Sequence, residues 1–186
     1  MEILFYVAAI ALIFSISLGV GGSTFALLNF FVALWDGKID ESEKRLMNVV
    51  YTVLRVAMVA ILIAAILHAI SLISAIGFSA YTSASIVMLW LIIAVLYFNA
   101  IMMTLHKMPM TIGAGLQAGS WYSLGFLSAF ISVGLVNFSF WLLLFSYILL
   151  VAIAITIVNV YLGIQKKRNP KPSTPPATPN PNKNSV

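Results

Sequence analysis

The chain has 186 residues, of which 62% are hydrophobic and 8% charged, with a net charge of +5 and no cysteine. Soluble domains carry about 25% charged residues, so this composition excludes an ordinary soluble globule and points to a chain solvated by lipid. The absence of cysteine excludes disulfides, thiolate metal sites, iron–sulfur clusters and cysteine nucleophiles.

A spanning helix takes about 20 apolar residues. Five runs reach that length, over about 3–35, 47–76, 82–105, 112–136 and 140–163. None alternates with a period of two, so the expected fold class is all-α. It is a five-helix transmembrane bundle over residues 1–165, with a basic, proline-rich, disordered tail over 166–186.

In the first run, Ala11, Ser15, Gly19 and Ser23 recur every fourth residue, with Gly22 and Ala26 as a second pair. Small residues at that spacing let helices approach closely in lipid. Gly19-Val-Gly-Gly-Ser-Thr24 has no P-loop lysine and follows no strand, so packing rather than phosphate binding is its reading. The first connection holds Asp40 and, three residues on, Glu43, the pattern of a capping box. The second helix should therefore begin before the apolar run does. Arg55 then falls near an interface, where its stem can snorkel.

The run Leu18-Gly-Val-Gly-Gly-Ser-Thr24 followed by Trp35-Asp-Gly-Lys-Ile-Asp-Glu41 and a long second helix resembles a family of uncharacterised small bacterial multi-pass membrane proteins. That family is distantly similar to the copper-resistance D-type membrane proteins. The resemblance covers the first two helices and implies a multi-pass helical membrane protein. The family's histidine about two turns before the glycines has no counterpart among residues 10–17, so no haem or metal role carries over.

The second run contains His68, the one ionisable residue well inside a span. Its expected state is a neutral side chain bonded to a neighbouring helix. The loop at 77–81 is uncharged. The third run ends on Met102-Met-Thr-Leu-His-Lys-Met-Pro-Met110, where Met102, Met103, Met108 and Met110 surround His106. Thioethers and imidazole suit Cu(I), although interfacial packing is the plainer reading of methionine. The fourth run repeats the small-residue device at Gly115, Gly119 and Ser123, then Gly125 and Ala129.

All ten Lys and Arg residues fall in the first and third connections, at Arg55, or in the tail. The positive-inside rule then puts the N-terminus outside and the C-terminus in the cytoplasm of a bacterial plasma membrane. The charge excess is thus topological, and no nucleic-acid partner is expected. Lys166, Lys167 and Arg168 follow the last span as a stop-transfer signal, with anionic lipid as a second use.

The five acids are Glu2, Asp36, Asp40, Glu41 and Glu43, all outside the runs. Paired-carboxylate catalysis and midplane ion coupling both need acids inside, so neither an enzyme nor a cofactor is expected. Asn29, Asn99, Gln117 and Asn159 lie at similar depth from the inner helix ends, roughly 10 Å at 1.5 Å per residue. They form a candidate polar layer. Two readings follow: a structural or accessory bundle glued by amides, with small-residue faces for a second copy or another membrane protein, or a handler of a small solute or metal that uses the layer.

Overall fold

A computed structural model describes residues 2–35, 40–78, 83–135 and 137–168. Among them lie five α-helices: α1 (Glu2–Trp35), α2 (Glu41–Ile76), α3 (Ala84–Thr104), α4 (Met110–Ser132) and α5 (Phe140–Arg168). The described residues are thus all-helical, as the unbroken apolar runs require. Four helices, α1, α2, α3 and α5, are long and apolar enough to cross a bilayer, which makes the chain an integral membrane protein. The fourth, α4, is not among them, so of the five runs expected to qualify as spans four do so by length and apolarity. Its 23 residues suffice in length, but glycine, serine, threonine and glutamine dilute its apolarity.

The box on Asp40 starts α2. The Glu43 amide donates to Asp40 Oδ1 at 2.7 Å, and the Asp40 amide donates to Glu43 Oε2 at 3.1 Å. Two amides that the first turn would leave unbonded are satisfied reciprocally. The helix therefore starts at Glu41, ahead of the apolar run, and ends at Gly77, whose φ of +83° costs a glycine little. At the other end of the chain, α5 continues through Arg168. Residues 166–168 are therefore helical, and the remainder of the expected tail, 169–186, lies outside the described residues.

α4 packs on α1, α3 and α5, and α1 and α2 form the most extensive pair. Glycine sets the α4–α5 distance. A Cβ on Gly115 would lie 2.6 Å from Ile155 Cα, and one on Gly119 would lie 2.8 Å from Val151 Cα. Backbones this close admit no side chain between them. On α1, the Trp121 indole covers Gly19, and Gly22 faces Leu54 Cδ2, which a Cβ would meet at 3.1 Å. Ala129, by contrast, is exposed. The fully buried core is built from Ile16, Ile61, Ile92, Leu96, Trp121 and Leu124. Exposed apolar side chains such as Phe14, Val59, Phe145 and Ile153 cover the outside, as a lipid-facing surface requires.

One end of the bundle gathers Phe30, Arg55, Thr104 and Ala114, with Tyr161 Oη donating to the Phe31 carbonyl at 2.8 Å. The described Lys and Arg residues, Lys44, Arg45, Arg55, Lys107, Lys166, Lys167 and Arg168, all belong to the helix halves or the turn at this end. The opposite end gathers Phe5, His68, Ser85 and Ser132. Consecutive helices α2 and α3 are not among the closely packed pairs. Across their gap Tyr97 Oη donates to the Met58 carbonyl at 2.6 Å.

The glycine contacts predict a contrast. Gly115→Ala should lower unfolding stability in detergent by about 1–3 kcal/mol through overpacking against the α5 backbone. Gly163→Ala, where a Cβ would meet nothing within 4 Å, should be neutral or stabilise by up to about 1 kcal/mol through helix propensity. Equal effects in a denaturant titration would show that the α4–α5 approach is not fixed by glycine.

Candidate functional site

Asn99 lies on the inner face of α3 and is fully buried. Its Nδ2 donates to the Gly113 carbonyl at 2.9 Å and to Gln117 Oε1 at 3.0 Å, with Met103 Sδ at 3.8 Å as a weaker neighbour. Gly113 makes the approach possible, because a Cβ there would meet the Met103 thioether at 2.8 Å. The α3–α4 contact at this end is thus a side-chain amide bonded both to a backbone and to a second amide. The set is not closed. Asn99 Oδ1 is buried with no partner, and Gln117 Nε2 reaches only Met58 Sδ, at 4.0 Å. A thioether is a poor acceptor, so this amide donor is largely unspent.

Gln117 also lines a pocket of about 190 Å³ between α1, α2, α3 and α4. Ser23, Arg55, Met58, Met103 and Thr104 share the wall. The donors at the wall are the Arg55 guanidinium and the Gln117 amide, while the Thr104 hydroxyl gives its proton to the Ala100 carbonyl at 2.8 Å. Drug-sized ligands occupy about 300–1,000 Å³, so this volume suits a solute of a few heavy atoms or a handful of waters. The guanidinium favours one that is polar or anionic.

The other sequence-selected residues fall elsewhere. Asn159 is on the exposed face of α5 and donates to the Ile155 carbonyl of its own helix at 3.0 Å. Asn29 is half-buried on α1, with its Nδ2 buried and unpartnered. The four amides therefore do not meet in one layer; two of them do. Equal depth fixes a position along a helix axis, but not the face on which a side chain emerges. Among the methionines, Met103 turns toward Asn99, and Met108 Cγ lies 3.3 Å from a Cβ built on Gly113. Met102 is half-buried, the side chain of Met110 lies outside the described residues, and His106 is exposed in the turn after α3 at a φ of +57°. Among the described residues no group of three His, Cys, Asp or Glu side chains is disposed to hold a metal. His68 stands toward the opposite end, its ring 5.2 Å from that of Phe5. Lys167 is exposed, and the side chains of Lys166 and Arg168 lie outside the described residues.

Two features were not singled out from the sequence. Trp121 has no exposed surface, and its Nε1 is buried with no partner. It belongs to the same buried core as Leu96 and Leu124, between the pocket at the basic end and a larger cavity at the other. A tryptophan inside a glycine- and serine-rich helix, opposite a glycine on another, is the sequence signal that marks it. The second feature is Ser85, which reads as an ordinary residue of a helix start and is in fact 3% exposed.

The Asn99–Gln117 bond generates a test by double-mutant cycle. Asn99→Leu and Gln117→Leu should each destabilise by about 1–3 kcal/mol, because each strands a partner. The double substitution should cost less than the sum by about 0.5–2 kcal/mol. Additive, near-zero effects in chemical unfolding would mean that the bond holds nothing together. No protein-family model, curated protein or solved structure matches this chain, so the chemistry of the pocket stands as its own evidence.

Proposed function

We propose that this is a non-enzymatic, five-span protein of a bacterial plasma membrane that takes a small polar or anionic solute into the pocket at its basic end. The observation that carries this reading is the unspent polar capacity at the pocket: the Gln117 amide on its wall and the Asn99 oxygen behind it lack full partners. Buried polar groups without partners cost free energy, and a bound solute or water supplies what the protein omits.

The orientation proposed is N-terminus outside and C-terminus in the cytoplasm, with α4 as a fifth crossing. The gathering of described Lys and Arg at one end of the bundle supports it through the positive-inside rule. So does the packing of α4 between three other helices, since a helix shielded by protein needs less apolarity than one facing lipid. The resemblance of the first two helices to a family distantly similar to copper-resistance D-type proteins is in keeping with this topology. A copper role has only thioethers to rest on, and cytoplasmic thiolates out-compete thioethers for Cu(I).

A structural or accessory role is the second reading. The direct Asn99–Gln117 bond favours it, since that bond holds α3 to α4 with no solute present.

The absence of cysteine makes the two readings separable. In Gln117→Cys, a charged thiol reagent that does not cross membranes should react when applied from the cytoplasmic side and not from outside. Leu124→Cys, in the filled middle of the bundle, should stay unlabelled from both. An unreactive Gln117→Cys would mean a dry layer and leave the structural role. A phosphatase fused after Val186, active only outside the cytoplasm, should be silent, and an active fusion would invert the topology.

A further inference from the structure

The opposite end of the bundle holds a larger cavity, of about 520 Å³, between α1, α2, α3 and α4. It is within the size range of small-molecule sites, about 300–1,000 Å³. Its walls are almost wholly apolar, with Phe5, Ile16, Leu72, Leu89 and Trp90 among them, and no acidic or basic carboxylate, ammonium or guanidinium group lines it among the described residues. Two polar side chains interrupt that lining. Ser85 is 3% exposed and its Oγ has no partner. His68 presents a buried Nδ1 that also has none. Each lines the same cavity, one from α3 and one from α2. The cavity lies between α2 and α3, among others, and these two helices do not pack closely.

These features define a ligand. A carboxylate or phosphate would bring a charge into a site with no cation, at a cost of several kcal/mol. A plain alkyl chain would leave the serine hydroxyl and the imidazole nitrogen as unsatisfied as before. What satisfies the site is a neutral, lipid-soluble molecule with a flat ring, carrying carbonyl oxygens that accept from the Ser85 hydroxyl and a protonated His68 Nδ1. The rings of Phe5 and Trp90 provide faces and edges against which such a ring can stack. We propose that this cavity is a binding site for a quinone-class lipid, entered from the bilayer between α2 and α3. The site is separate from the pocket at the basic end, and the proposal does not depend on the function of that pocket.

The test uses the full chain in detergent, with a decyl-substituted benzoquinone as the probe. A ligand that binds the folded state raises the unfolding midpoint as its concentration rises. The quinone should do so, and decylbenzene, with ring and chain but no carbonyl oxygen, should do so far less. Ser85→Ala and His68→Leu should each weaken the apparent affinity by about tenfold, the scale of one lost hydrogen bond. Gly163→Ala, where a Cβ would meet nothing within 4 Å and which lies away from this cavity, should leave it unchanged. Ser85→Ala removes a hydroxyl with no partner, so it is expected to fold even if His68→Leu does not. Equal stabilisation by decylbenzene, unaltered affinity in Ser85→Ala, or no response of the parent protein would each overturn the assignment.

Discussion

The indole of Trp121 occupies the space that a side chain on Gly19 would need, and this contact sets how α1 and α4 approach each other. Association of helices in lipid gains little from the hydrophobic effect, because the tails are as apolar as the side chains. What remains is dispersion at short range and hydrogen bonding. A large flat ring over a glycine gains many atom contacts at once, and Gly115 and Gly119 achieve the same on the far side of α4 by letting the α5 backbone come close. The helix that falls short of spanning apolarity is thus packed against three others, α1, α3 and α5.

A centre packed this tightly makes the looser ends conspicuous. The buried polar atoms without partners are not spread evenly. Among the described residues Asn29 Nδ2, Asn99 Oδ1 and the Gln165 amide are near the basic end and Trp121 Nε1 is in the middle, whereas His68 Nδ1 and Ser85 Oγ line the cavity at the other end. Native structures pair more than 90% of such groups. His68 Nδ1 and Ser85 Oγ share one cavity, and a pair of that kind is what a ligand site would leave behind.

Much of this architecture is legible in the sequence. The helices follow from unbroken apolar runs, and the start of α2 follows from Asp40 and Glu43, because a capping box is local chemistry. The spacing of Gly115 and Gly119 shows that α4 meets a neighbour closely, though not which one. Depth counted from the helix ends brings Asn99 and Gln117 together because α3 and α4 are antiparallel neighbours joined by a short turn. The same count leaves Asn159 alone, since its helix turns that face outward. The gap between α2 and α3 has no sequence signature. A loop as short as 77–83 suggests adjacent helices, and only tertiary packing decides whether they touch along their length.

That gap ties the two cavities to one structural cause. Had α2 and α3 packed as closely as α1 and α2 do, residues such as Met58 and Met103 at one end, and His68 and Ser85 at the other, would have met across the seam. Instead α4 inserts its central tryptophan from the opposite side. The seam is bridged at mid-depth, where Tyr97 donates to a backbone carbonyl of α2 at 2.6 Å. A bond to a carbonyl already used by its own helix adds to that helix without competing with it, because the oxygen has a second lone pair. The two helices can thus be held at one height and remain apart above and below it.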